Sequence, residues 1–177
     1  MSLPFIITSS LAEKNKDETR RMNEVLFLEL ETLQREYKRS RQVVEQLTKD
    51  YEESKDLDPV RRYEKLKVMV KRTIMHFKVN SEEQIKEAAA AAACQGTQAE
   101  ALKRRGEKNT KMTRQEMIEE NTLYSEQIKN YRRKMSILSD LIQQLEDSYE
   151  ESKRYAMMQR YRLLKMMIKS VIYDKLI

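Results

Sequence analysis

The sequence predicts an all-α, elongated coiled-coil protein, and three observations carry that expectation. Charged residues make up 36% of the 177, with only two glycines, two prolines and no tryptophan, so turns are scarce and polar helix surface is plentiful. Two stretches carry an apolar seam at alternating spacings of three and four, the heptad repeat of paired helices. Helix-start signatures punctuate the rest of the chain. A hydrophobic share of 40%, regularly placed, separates this chain from a disordered one.

The first seam runs Leu30, Leu33, Tyr37, Ser40, Val44, Leu47, Tyr51 and Ser54. The second runs Tyr124, Ile128, Tyr131, Met135, Leu138, Ile142, Leu145, Tyr149 and Ser152. Such a seam keeps facing a partner helix only if the helices supercoil left-handedly. These apolar residues are the expected helix-pairing surface.

Capping boxes, in which two side chains each satisfy an amide left free at a helix start, are written as Ser10 with Glu13, Ser81 with Gln84, Thr97 with Glu100, and Thr113 with Glu116. Asp58-Pro59 is a further start, since Asp caps and Pro is tolerated at the first helical position. Gly96 and Gly106 sit where helix stops are expected. Helices are therefore expected over 11–57, 59–79, 82–95, 98–105 and 113–175. They divide the chain into an N-terminal tail (1–10), a first helical arm bent near Pro59 (11–79), a short-helix connector (80–112) and a second helical arm (113–177). Arms of similar length around a short head favour an antiparallel hairpin. The alternative keeps the arms apart, each pairing with another chain, because a heptad seam does not say whose helix fills it.

The arms also match each other. Gln46-Leu47 and Tyr51-Glu52-Glu53-Ser54-Lys55 recur as Gln144-Leu145 and Tyr149-Glu150-Glu151-Ser152-Lys153, at an offset of 98. Arg62-Tyr63, Leu66-Lys67, Met69, Lys71 and Ile74 recur as Arg160-Tyr161, Leu164-Lys165, Met167, Lys169 and Ile172. Heptad spacing explains the apolar matches. It does not explain the identical Glu-Glu-Ser-Lys and Arg-Tyr, which point to an internal duplication. In both arms the apolar stripe changes face between the two tyrosines, because twelve steps of about 100° leave them about 120° apart. Pro59 permits a bend there in the first arm. No proline or glycine stands there in the second, so that helix is expected to run on.

Residues able to carry chemistry are few. One histidine, His76, and one cysteine, Cys94, cannot close a zinc site of protein nitrogen and sulfur ligands, and a lone cysteine makes no disulfide framework. Two glycines do not build a phosphate-cradling loop. Carboxylates are strewn along exposed faces rather than paired in a pocket. An enzyme is not expected, and no catalytic, cofactor or metal residue is assigned. No run approaches the roughly 20 apolar residues that span a bilayer. An intracellular place, cytoplasmic or nuclear, is the expectation.

Net charge is +6 but uneven: 59–78 carries seven basic residues against one acid, 103–114 six against one, and 150–177 seven against three. Arg61, Arg62, Lys65, Lys67, Lys71 and Arg72 interleave with apolar residues, as do Arg160, Arg162, Lys165 and Lys169. A basic amphipathic helix suits an acidic partner, an anionic membrane or nucleic-acid phosphate. The bland reading is that the apolar side packs and the cations are solvated. Met166, Met167 and Ile168 cover more than one face of the last segment, which favours burial in a larger helical assembly. The expected function is a non-catalytic scaffold or assembly subunit of a larger complex, of the cytoskeletal, centromere or tethering type. Its partners would be other helical subunits or further copies of itself, with no small-molecule substrate. The second expectation is a direct binder of an anionic surface (nucleic acid, microtubule or lipid) through the basic segments.

Overall fold

The computed structural model describes the backbone of residues 4–93 and 96–174, and side chains over 14–82, 86, 100 and 102–174. Among these residues the protein is all-helical, without a strand. The elements are α1 (Pro4–Glu53), a 3-10 turn (Ser54–Asp56), α2 (Pro59–Ala93), α3 (Gly96–Thr110), α4 (Arg114–Ser152) and α5 (Met157–Ile172). They form two compact units, Met1–Gln34 with Ala89–Tyr131, and Arg35–Ala88 with Arg132–Ile177.

Two starts are built as the sequence expects. Asp58 Oδ1 accepts the amides of Val60 (3.2 Å) and Arg61 (3.1 Å), with Pro59 as the first residue of α2. At the head of α4 the capping box is closed both ways. The Thr113 amide donates to Glu116 Oε2 at 2.6 Å, and the Glu116 amide donates to Thr113 Oγ1 at 3.2 Å. These bonds satisfy amides that the first turn of a helix leaves free.

Other boundaries differ. α1 begins at Pro4 rather than near residue 11, and the side chains of Ser10 and Glu13 lie outside the described residues. Ser81 starts nothing: it sits inside α2 and its hydroxyl bonds back to the Phe77 carbonyl at 2.9 Å. With its hydroxyl so engaged, and the strongly helix-forming alanines following, α2 continues to Ala93. Cys94 and the Thr97 side chain lie outside the described residues. Gly96 is the first residue of α3, just beyond the described end of α2 at Ala93, and Gly106 lies within α3 and does not stop it. A Cβ at Gly106 would meet nothing within 4 Å, so no close approach requires glycine there.

The first unit is a three-helix arrangement of α1, α3 and α4 segments. α3 and α4 are joined by a short turn at 111–113, and Arg105 and Lys108 of α3 reach Glu120 of α4. α1 and α4 run in the same direction here: Asn23 meets Glu120, and one turn further on Phe27 meets Tyr124. Among the described residues, Leu30, Met117 and Ile128 are its buried apolar side chains.

The second unit packs two helical hairpins, α1–α2 and α4–α5. One core joins Val44, Leu47 and Tyr51 of α1, Leu66, Met69 and Val70 of α2, Leu138, Ile142 and Leu145 of α4, and Leu164, Ile168 and Val171 of α5. α2 doubles back from the end of α1 and crosses toward α4: Lys65 pairs with Glu53, Arg72 with Asp50 and Lys78 with Glu146. At one end of the α1 and α4 segments the Lys134 ammonium lies 5.5 Å from the Tyr37 ring; past the other, Tyr63 meets Tyr161 edge-on at 6.4 Å. The two seams therefore lie parallel and in register here too. This corrects the antiparallel pairing of the arms. Within this unit the chain reverses at 54–58 and again at 153–156.

A second correction concerns the last arm, whose helix breaks at 153–156 without proline or glycine. The break reproduces the one before Pro59. Ser152 donates its hydroxyl to the Tyr149 carbonyl at 2.6 Å and accepts Arg160 Nε at 3.3 Å; Ser54 does the same with Tyr51 (2.6 Å) and Arg62 (3.3 Å). Tyr155 N to Ser152 O matches Leu57 N to Ser54 O, both at 3.2 Å. Ala156 is extended (ψ 155°) and caps α5 in the place Asp58 holds for α2, but contributes no side-chain bond. The break lets the displaced apolar stripe fold onto the core instead of facing solvent.

Candidate interaction surfaces

Of the seam residues, the first unit contains Leu30 and Ile128, which are buried, and Leu33, Tyr124 and Tyr131, which are half-buried. In the second unit Tyr37, Val44, Leu47, Tyr51, Leu138, Ile142, Leu145 and Tyr149 are buried and Met135 is half-buried. Ser40, Ser54 and Ser152 are buried in the same row. Each unit's own helices thus cover most of the seam within it.

Polar contacts in the first unit carry no sequence signal. Arg105 is buried, with Nε donating to Asn23 Oδ1 at 2.8 Å and its guanidinium paired to Glu120. Asn23, also buried, donates its amide to Glu120 Oε2 at 3.0 Å, and Lys108 reaches the other carboxylate oxygen at 3.0 Å. The guanidinium carbon lies 5.3 Å from the Phe27 ring centre and 5.4 Å from that of Tyr124. Burial pushes the Tyr124 phenol up, against the smaller opposing pull of Arg105. Asn109, also on α3, is 1% exposed and its amide finds no partner among the described residues. Charge-assisted bonds among α1, α3 and α4 penalise any slip of one helix past another.

The basic residues fall into two groups. Arg62 stacks on Tyr51 (5.5 Å) and Arg160 on Tyr149 (5.4 Å), while Lys67 covers Tyr63 (4.6 Å) and Lys165 covers Tyr161 (4.9 Å). Lys65 and Arg72 hold ion pairs with Glu53 and Asp50. Arg62, Arg160, Lys65 and Arg72 thus bridge the two helices of a hairpin, while Lys67 and Lys165 each cover a tyrosine one turn back on their own helix. Arg61, Lys71, Arg162 and Lys169 point to solvent, Arg61 beside Asp58 at 3.4 Å. Met167 and Ile168, placed on the candidate partner surface by their spacing, are buried in the core, whereas Met166 is 66% exposed. The exposed His76 lies on α2.

Sequence reasoning also missed a matched set of exposed apolar side chains. Val60, Val68 and Met75 of α2 are exposed, and so are Met158, Met166 and Tyr173 at the same offset of 98. Val25 and Leu123 form a further such pair in the first unit. Spacings of eight and seven return to one helix face, so α2 and α5 each carry an apolar stripe outward as well as one inward. No helix among the described residues is long and apolar enough to cross a membrane. Compared with protein-family models, curated proteins and solved structures, the chain matches none of them.

Proposed function

We propose that the chain is a non-catalytic helical scaffold, an assembly subunit of a larger intracellular complex of the cytoskeletal, centromere or tethering type. The observation that carries this is the outward apolar stripe on α2 and α5, helices whose opposite faces already pack into the core. Single exposed apolar residues are ordinary, but a stripe at helical spacing is a surface suited to another helix. We further read the two hairpins as copies from an internal duplication. The recurrence of the Ser–Tyr, Arg–Ser and Lys–Tyr contacts at one offset supports this, because these polar contacts do not follow from heptad spacing.

The test is affinity purification of the full chain followed by crosslinking mass spectrometry. Crosslinks from Lys71 and Lys169 to helical subunits are the expected result. Recovery of the chain alone, with no subunit crosslinked, contradicts the proposal.

The second reading, binding to an anionic surface, rests on α5, which has four basic residues and no acid. Its mark is affinity that falls steeply with salt. Reversing charge at the solvent-facing Lys71, Arg162 and Lys169 should abolish it without unfolding the chain. A salt-insensitive interaction that survives those reversals excludes it.

A further inference from the structure

Exposed apolar side chains stand in opposite electrostatic surroundings in the two units. In the first, Leu123 of α4 is 50% exposed, between the exposed Glu119 and Glu126. In the second, Met166 of α5 is 66% exposed, between the exposed Arg162 and Lys169. Each triplet has spacings of four and three, which place its members on one helix face. An acid–apolar–acid row on α4 thus has the same pitch as a base–apolar–base row on α5. The wider segments agree in sign: residues 115–128 hold four acids and no base, and α5 holds four bases and no acid. Glu120 turns inward to Arg105 and Glu116 closes the capping box, which leaves Glu119 and Glu126 to the outer row. At the offset of 98 the counterparts of the two rows are Arg21, Val25 and Leu28 on α1, and Glu64, Val68 and Lys71 on α2. Neither carries one sign of charge on both sides of its apolar residue. Among these four rows, only those of α4 and α5 match.

We infer that the chain binds a second copy of itself head to tail, the Arg162–Met166–Lys169 face of α5 in one copy lying on the Glu119–Leu123–Glu126 face of α4 in the next. Complementary charge selects this occupant, because both halves of the contact stand in one chain. Met166 and Leu123 meet at the centre, and cations lie opposite carboxylates whichever way the helices run, since each row is nearly symmetrical about its apolar residue. Within one chain both rows face solvent, so they do not cover each other and the contact is completed between copies. Two different faces meet, so every added copy leaves one row of each kind free, and growth continues until a ring closes. Two short helix faces make a small interface of the weak, transient class, in which opposite charges set register and partner more than strength. The inference goes beyond the assembly-subunit reading by naming the chain's own copy as a partner, and it needs none of the other subunits.

The experiment is sedimentation velocity on the full chain from about 10 to about 500 μM, the range in which a small interface associates. In about 50 mM salt the weight-average mass should rise with concentration, and in about 0.5 M salt it should fall back toward the monomer. Arg162→Glu with Lys169→Glu should weaken association at least about tenfold, although it lowers the net charge of +6 and with it the general repulsion between copies. Glu119→Lys with Glu126→Lys should weaken it as much. A chain carrying all four reversals has the net charge of the wild type and opposite charges face to face again, and should regain the association. All four positions are exposed, so circular dichroism should show helicity unchanged. The inference is overturned by a wild-type chain that stays monomeric at every concentration, by either pair of reversals leaving association unchanged, or by four reversals that do not restore it. Other subunits crosslinked to a chain that stays monomeric would sink this contact and leave the assembly reading intact.

Discussion

Arg105 shows how one side chain escapes a reading of sequence and then organises a unit. An arginine amid Lys103, Arg104, Glu107 and Lys108 reads as solvated helix surface, and Asn23 reads the same way; nothing in periodicity separates a buried guanidinium from an exposed one. Its site exists only because α1, α3 and α4 bring Asn23, Phe27, Glu120 and Tyr124 around it. Arg105→Leu leaves the Asn23 oxygen without its donor and takes from the Glu120 carboxylate its buried cation, leaving it the Asn23 amide and Lys108, and should cost about 3 kcal/mol of stability in urea denaturation. A change within about 0.5 kcal/mol would show that the cluster is not structurally important. Glu116 was, by contrast, legible, since a capping box is a local pattern. The Thr113 amide, and secondarily its hydroxyl, hold the Glu116 carboxyl below the ordinary glutamate range. Because the folded pKa is lowered, the stabilisation is complete above the ordinary value and is lost as pH falls through the lowered one. An NMR titration should find Glu116 more acidic than a glutamate in an unstructured peptide, and Thr113→Ala, which removes the hydroxyl but keeps the amide, should leave it lowered by a smaller margin.

Helix existence was plain in the sequence and helix ends were only partly so. Asp58-Pro59 and Thr113-Glu116 announce their starts because the bonds are made within four residues of sequence. The stop at Ser152 has no such marker: it is made by a serine hydroxyl bonded to the carbonyl three residues back and by an arginine eight residues ahead. The visible clue was the match of Tyr149-Glu-Glu-Ser152-Lys and Arg160 to the segment around Pro59, where a bend was already expected. The two breaks differ in one useful respect: α2 is capped by Asp58, and α5 begins at Ala156 with no side-chain bond. Ala156→Asp should therefore stabilise the second hairpin by about 1 kcal/mol, raising the melting midpoint by about 2–4 °C. An unchanged or lowered midpoint would mean that the equivalence of the two caps is only approximate.

For the molecule as a whole, the sequence carried the all-α class, the seam positions and the match between arms, but not the direction in which the seams pair. A heptad repeat buries the same residues whether its partner runs parallel or antiparallel, so hydrophobic spacing is silent on direction. Reading Pro59 as a bend within one arm hid the full reversal at 54–58, where α2 turns back along α1. In the second unit the parallel register brings the equivalent residues Tyr63 and Tyr161 into contact at 6.4 Å. An antiparallel hairpin of the two arms instead leaves them far apart. The most direct measurement is crosslinking, with a short thiol-reactive bis-maleimide, of the full chain carrying Tyr63→Cys and Tyr161→Cys in a Cys94→Ala background. Parallel in-register seams give an intrachain crosslink, with altered mobility and a yield independent of protein concentration. Thiols that stay free, or that join only between chains as concentration rises, would contradict the architecture.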